Sequence, residues 1–203
     1  GKDSLEIAGQ NTIINSKLII DDLNWQDVSD LIEESPIKNN SIAVALSSIP
    51  RKQSRCTGFL VAPNIIMTNN HCVPSNYFAS GVKATFDYES EKINESLTTF
   101  SCDKLLLTNT SLDFSLLECS NFPADFVAPT PLILSDIEIN TNDEIYIIHQ
   151  NCDYYLKSDC DYTKKFSEGL ITEHNWKYTH NADTLGGSSG SPMFSKDTNK
   201  VVG

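Results

Sequence analysis

Asp183-Thr184-Leu185-Gly186-Gly187-Ser188-Ser189-Gly190-Ser191-Pro192 is the stretch around which the rest of the chain is organised. A hydroxyl nucleophile needs a tight turn that exposes its oxygen, and glycine permits the backbone such a turn requires. It also needs backbone N–H groups aimed at the oxyanion formed during attack. The run supplies both: Ser189 is the candidate nucleophile, with the N–H groups of Gly187 and Ser189 as oxyanion donors. A Gly/Ser run is also what an ordinary solvated loop looks like, so its meaning depends on what lies elsewhere in the chain.

The letters Gly186-Gly187-Ser188-Ser189-Gly190 also match G-x-S-x-G, the nucleophile elbow of α/β-hydrolases, with Ser188 attacking. That fold places its acidic residue and then its histidine after the serine. Here Asp197 follows, but no histidine does. The partners of the serine must therefore lie upstream, in the order His, Asp, Ser.

Two upstream blocks fit. Cys56-Thr57-Gly58-Phe59-Leu60-Val61-Ala62-Pro63-Asn64-Ile65-Ile66-Met67-Thr68-Asn69-Asn70-His71-Cys72-Val73 reads as two apolar strands joined at Pro63-Asn64, ending at a histidine beside a cysteine. Ser111-Leu112-Asp113-Phe114-Ser115-Leu116-Leu117-Glu118-Cys119 places an aspartate at the mouth of an alternating strand. In this order the three blocks resemble the chymotrypsin/trypsin superfamily of serine endopeptidases, and within it the bacterial, glutamyl-endopeptidase-like branch. The resemblance runs from about Ser41 to the last residue. It implies His71 as general base, Asp113 as the carboxylate that orients it and Ser189 as nucleophile. It also implies an all-β, chymotrypsin-like double six-stranded β-barrel, with His71 and Asp113 on one barrel, Ser189 on the other and the substrate between them.

The resemblance bears on substrate preference as well. His180 and Thr184 precede the serine closely enough to line a specificity pocket. In the glutamyl-endopeptidase branch a threonine at the position of Thr184 helps recognise an acidic side chain. Asp183 stands where trypsin-like enzymes carry a pocket-floor aspartate, which would select Lys or Arg, but the bacterial branch also carries an Asp-Thr pair without basic specificity. A structural role for Asp183 is the first expectation, and the preference stays open. Of the other histidines, His149 lies on an apolar strand as a structural or cleft-lining residue, and His174 sits in a polar surface stretch. Ser188 occupies the place of the aspartate that, in chymotrypsin-like enzymes, pairs with a newly cut N-terminus, so that salt bridge cannot form here.

Six cysteines stand in the chain without a C-x-x-C pair or a Cys/His cluster at zinc-ligand spacing, which argues against a metal site. Three disulfides suit an oxidising compartment, secreted or periplasmic. Cys56–Cys72 matches the bridge that ties the histidine loop in the chymotrypsin-like family, closing a loop worth about 3 kcal/mol on the chain-entropy account. Cys152–Cys160 would close a local loop, leaving Cys102–Cys119 to join strands around Asp113.

A chain of 203 residues, 39% of them hydrophobic, suffices for one domain or two small ones. The net charge of −12 argues against nucleic acid as a partner, since phosphate binding needs clustered Lys/Arg. No run is long enough to span a membrane, and Gly1-Lys2-Asp3 is not followed by the apolar region of a signal peptide. No cofactor is called for, the partners are protein or peptide substrates, and a monomer is expected.

Along the chain, residues 1–40 form an N-terminal arm or pro-segment. Within them Gln10 to Ile14 and Lys17 to Ile20 read as short strands, and Asp21 to Glu34 as an amphipathic helix or polar arm. The first barrel covers 41–120, opening with a strand at Ser41 to Leu46 and a polar loop from Ser47 to Arg55. Further strands follow at Val82 to Phe86, Leu97 to Phe100, Lys104 to Leu107 and Phe114 to Cys119. Residues 121–131, with Pro123, Pro129 and Pro131, read as a linker. The second barrel, 132–203, has strands at Leu132 to Leu134, Glu144 to His149, Phe166 to Thr172, Trp176 to Thr179 and Pro192 to Phe194. The family pattern continues past Val201-Val202-Gly203, so this barrel is expected to lack its final strand or helix within these residues. The expected function is a secreted serine endopeptidase; the rival is a latent zymogen or a catalytically silent binding module on the same fold.

Overall fold

A computed structural model describes residues 23–95, 97–154, 160–175 and 177–203. The elements in chain order are β1 (Gln26–Asp27), α1 (Pro36–Ser41), β2 (Val44–Ile49), β3 (Ser54–Ala62), β4 (Ile65–Thr68), α2 (Asn76–Ala79), β5 (Lys83–Thr85), β6 (Thr99–Ser101), β7 (Lys104–Asn109), β8 (Phe114–Glu118), β9 (Glu144–His149), β10 (Lys165–His174), β11 (Tyr178–His180) and β12 (Met193–Ser195). They form a seven-stranded sheet in the order β6-β5-β2-β3-β4-β8-β7 and a five-stranded sheet in the order β1-β10-β9-β12, with β11 on β10.

The β3–β4 hairpin turns at Pro63-Asn64, where Asn64 takes a left-handed φ of 53°, a conformation asparagine tolerates better than most residues. β4 then pairs antiparallel with β8, Met67 opposite Leu116 and Thr68 opposite Ser115. That register brings the end of β4 and the start of β8 to the same edge. His71 follows three residues after Thr68, and Asp113 precedes Ser115 by two.

In the second sheet, β9 is the central strand. Ile145, Tyr146, Ile147 and Ile148 are all buried, as expected of a strand covered on both faces. One core runs through both sheets, from Val44, Leu60 and Leu117 to Tyr146, Phe166 and Phe194. A smaller core of Ile145, Ile147, Ile171 and Met193 fills the other face of β9. The proline-containing stretch 121–131 is packed rather than free, since Phe122 and Phe126 meet Phe100 with ring centroids 4.4 and 4.6 Å apart. Three disulfides are formed: Cys56–Cys72, Cys102–Cys119 and Cys152–Cys160. Among the described residues no helix is long and apolar enough to cross a membrane.

Several expected boundaries move. Asp21 to Glu34 is not an α-helix within the described residues. Asp27 accepts from Ser29 N at 2.9 Å and caps a single 3₁₀ turn, while Gln26–Asp27 adds an edge strand to β10. Polar Asp and Ser side chains that bond their own backbone favour such turns over helix. Ser41 ends a helix that begins at Pro36, the residue best suited to a first helical position. The following strand therefore starts at Val44 and consumes Ser47 and Ser48, leaving only Pro50 to Gln53 as a turn. Leu132 to Leu134 makes an isolated bridge, Leu134 to Val201, and no strand. The stretch called Trp176 to Thr179 is a strand at Tyr178–His180, with Trp176 outside the described residues. The strands called at Gln10 to Ile14 and Lys17 to Ile20 also lie outside them.

Where α1 meets the two sheets, charge is buried. Lys164 Nζ donates to Ser41 O at 2.8 Å and Phe86 O at 2.5 Å, and pairs with Glu89 at 3.3 Å. Glu89 also meets Lys38 at 3.4 Å. Burial pushes Lys164 down to about 8, outweighing the attraction of Glu89. Burial acts to raise Glu89 too, but the two ammonium groups, Lys164 foremost, bring it below the usual carboxylate range. One carboxylate thus serves two buried cations. Removing it takes the carboxylate from Lys164 and leaves Lys38 with the more exposed Glu91 at 3.4 Å, and breaking a buried pair from one side costs about 3–5 kcal/mol. Glu89→Gln is expected to lower the urea-unfolding free energy by about that amount, and a loss under about 1 kcal/mol would show the cluster to be solvated.

Candidate active site

The β4–β8 register sets up a dyad at one edge of the first sheet. His71 Nδ1 lies 2.7 Å from Asp113 Oδ2, and the His71 backbone N–H donates to Asp113 Oδ1 at 2.9 Å. The carboxylate therefore grips both the ring and the main chain of one residue. Asp113 itself has a left-handed φ of 52°, and its carbonyl accepts from Asn69 Nδ2 at 2.8 Å. Behind the pair, Asn70 Nδ2 reaches Thr108 Oγ1 at 2.6 Å and Ser115 Oγ donates to Val73 O at 2.8 Å. The Cys56–Cys72 bridge and a bond from Lys52 Nζ to His71 O secure the loop from the other side. The dyad remains accessible, with 54% of the His71 side chain and 43% of the Asp113 side chain exposed.

The serine stretch meets this edge from the second sheet. Gly187 and Gly190 take φ values of 98° and 87°, which L side chains rarely adopt. A Cβ on Gly190 would collide with Thr57 O and Thr68 Oγ1, and one on Gly187 would lie 2.9 Å from Tyr162 Cε1. Thr57 of β3 joins the two halves: its N–H donates to Ser189 O at 2.8 Å and its hydroxyl to Gly187 O at 2.8 Å, while Gln150 N donates to that hydroxyl at 3.0 Å. Cys152 N closes the other side on Gly186 O at 2.6 Å.

Ser188 and Ser189 part company here. Ser188 is buried, with its Oγ 2.7 Å from His149 Nδ1 and accepting from Leu185 N at 3.2 Å. Ser189 lines an open cleft together with His71, Asp113, Gly190, Thr184, His180, Lys177 and Met193, and Ser188 touches the same cleft with its hydroxyl engaged by His149. Asp183 does not line it. It is buried, and its Oδ2 accepts from Asn24 N at 2.9 Å while Ser167 Oγ donates to its carbonyl. Thr57 and the His149–Ser188 contact carry no mark in the sequence beyond the position of Thr57 beside Cys56 and of His149 at the end of an apolar strand.

Burial pushes His149 down to about 3, and the nearby Lys165 and His180 add to the shift. Burial lowers His180 as well. Both imidazoles are held neutral in the fold, whereas an unfolded histidine takes up its proton near pH 6.5. Below that pH the unfolded chain binds more protons, so stability is complete above it and is lost as the pH falls toward the depressed folded values. Each buried histidine contributes at most about 1.4 kcal/mol per pH unit. The urea midpoint is expected to be lower at pH 5 than at pH 7, and His149→Gln, with no charge to gain, is expected to flatten that dependence. An unchanged slope in the variant would remove His149 as its source.

With this geometry in view, the likenesses to known proteins are informative. The trypsin-like peptidase domain family matches residues 56–203. Among solved structures, the inactive form of Rv3671c from M. tuberculosis H37Rv is 18% identical, with a TM-score of 0.60 over 88% of this chain and 84% of that one. The active form of the Rv3671c protease is 17% identical, with a TM-score of 0.60 over 99% and 82%. Deg5 is 14% identical, with a TM-score of 0.62 over 83% and 80%. At these identities the likeness speaks for the fold. No curated protein is a sequence match to the chain. The architecture is the all-β, chymotrypsin-like double barrel, and the chain belongs to the trypsin-like peptidase domain family.

Proposed function

We propose that the chain is a serine endopeptidase in which Ser189 is the nucleophile, His71 the general base and Asp113 the carboxylate that orients the imidazole. The observation that carries the reading is the 2.7 Å contact of His71 Nδ1 with Asp113 Oδ2 at the rim of a cleft that Ser189 also lines. As Ser189 Oγ attacks the substrate carbonyl, His71 Nε2 takes its proton, and Asp113 fixes the tautomer and stabilises the imidazolium. The tetrahedral oxyanion is held by the N–H groups of Gly187 and Ser189, each donor worth about 3 kcal/mol of barrier. Collapse expels the amine, protonated by His71, and leaves an acyl-enzyme that water hydrolyses with His71 again as base. This chemistry asks for no metal or organic cofactor. Ser188 is unsuited to attack because its hydroxyl is buried against His149.

For the substrate, the reading is the glutamyl-endopeptidase-like one. Thr184 and His180 line the cleft beside Lys177, whereas the Asp183 carboxylate points to Asn24, so the lining favours an acidic side chain before the scissile bond. Export to an oxidising compartment fits the three disulfides.

Fluorophosphonate labelling followed by peptide mass spectrometry tests the nucleophile. Label is expected on Ser189, absent in Ser189→Ala, slowed more than about a thousandfold in His71→Ala, and retained at a reduced rate in Ser188→Ala. Abolition in both serine variants, or in Ser188→Ala alone, would overturn the assignment, and no label on the folded chain would leave a silent member of the family. A peptide library tests the pocket: cleavage after Glu or Asp is expected, weakened in Thr184→Val, and cleavage after Lys or Arg would refute the acidic preference.

A further inference from the structure

Thr184 and Ser188 line the cleft, and the segment from Asp183 to Ser188 that carries them is tied at both ends to the N-terminal arm. At the first end, Asn24 N donates to Asp183 Oδ2 at 2.9 Å. At the other, Ser188 Oγ lies 2.7 Å from His149 Nδ1, and the buried indole of Trp25 packs edge-on against the His149 ring, centroids 6.3 Å apart at 78°. Trp25 is itself held: its Nε1 donates to Asp153 Oδ2 at 2.9 Å, next to Cys152, whose N–H binds Gly186 O. The arm cannot swing freely, because Gln26 and Asp27 pair with Phe166 and Lys165 and Val28 N donates to Lys164 O.

We infer that Asn24 and Trp25 are a built-in brace of the catalytic loop, and that Trp25 is a positioning residue acting through His149 on the turn that carries Ser189. The inference rests on the serine-endopeptidase reading for its catalytic consequence, but its structural content stands apart from it. The turn is made by Ser188 N donating to Leu185 O at 2.9 Å and Ser191 N to Ser188 O at 3.0 Å, with Leu185 N on Ser188 Oγ. Those bonds hold the backbone whose N–H groups would face the oxyanion. In this chain, Ser188 has no carboxylate with which to recruit a charged N-terminus, and the arm supplies an aromatic contact in its place. Asn24 and Trp25 are therefore working parts of the folded chain.

The chain of residues 1–203 with Trp25→Ala provides the test. Amide exchange of Ser188 and Ser191, followed by NMR, is expected to quicken about tenfold while the Leu60 amide of β3 is unmoved, a lost aromatic contact being of that size. The maximal rate of fluorophosphonate labelling is expected to fall by a similar factor, with the half-saturating probe concentration unchanged, and Trp25→Phe is expected to restore both. Val28→Ala, equally buried in the arm, is expected to lower the urea midpoint without moving either readout. If Trp25→Ala leaves the exchange unchanged, or Val28→Ala reproduces its effects, the brace is refuted. An unlabelled parent chain would refute the catalytic reading instead, with the exchange data still deciding the brace. Should Trp25→Ala not fold, Trp25→Leu carries the same comparison.

Discussion

Everything at the cleft depends on how one buried threonine spends its hydrogen-bonding groups. Thr57 is fully buried in β3, a strand of the first sheet. Its N–H and hydroxyl both bind carbonyls of the serine loop, its hydroxyl receives the Gln150 N–H at the end of β9, and its carbonyl receives Thr68 Oγ1. Thr57 thus ties the His71 side to the Ser189 side through both its N–H and its hydroxyl. A buried group left without its partner costs about 1–3 kcal/mol, so each of these bonds is defended by the others. Gly190 must be glycine for the same reason, since the loop approaches Thr57 closely enough to exclude a Cβ.

The second constraint is strand register. Antiparallel pairing has a side-chain period of two, so a slip of one residue between β4 and β8 would turn every side chain to the opposite face. With Thr68 opposite Ser115, the two chain ends at the sheet edge bring His71 and Asp113 within hydrogen-bond reach. The dyad is thus set by core residues such as Ile66 and Leu117, fully buried and remote from any substrate. Rigidity comes from the sheet, which leaves the dyad itself free to stay half exposed for a substrate to reach.

How much of this was legible follows from the range of the interactions. The strands β3, β4, β8 and β9 show in the sequence because alternation and apolar runs are local signals, and the three blocks in the order His, Asp, Ser direct attention to the residues that line the cleft. The edges of elements were less readable. Ser41 looks as strand-like as Val44 until Pro36 is seen to start a helix, and Ser47-Ser48 reads as loop although β5 covers it on one side and β3 on the other. Contacts across the fold leave no local trace at all. Trp25 and Asp153 are 128 residues apart, and Asn24 and Asp183 are 159 apart. For such pairs the sequence shows only an aromatic residue in a polar arm and an aspartate near a serine, each open to several readings. Nothing around Asp183 in the sequence signals that its carboxylate faces the backbone of Asn24.

The serine loop also explains why polar contacts gather where they do. A tight loop outside the strand ladder cannot pair its carbonyls there, yet buried carbonyls must find donors. Here the donors come from outside: Thr57 for Gly187 and Ser189, Cys152 for Gly186, Ser167 for Asp183. Each donor belongs to an element already fixed by apolar packing or by a disulfide. The His149 imidazole beside Ser188 fits the same logic at an energetic disadvantage, because a buried neutral histidine makes the fold less stable in acid. An aliphatic residue at that place would remove the His149 share of the acid sensitivity and also a partner of the Ser188 hydroxyl, leaving it only the Leu185 N–H. The fold keeps the histidine where loop geometry outweighs stability at low pH.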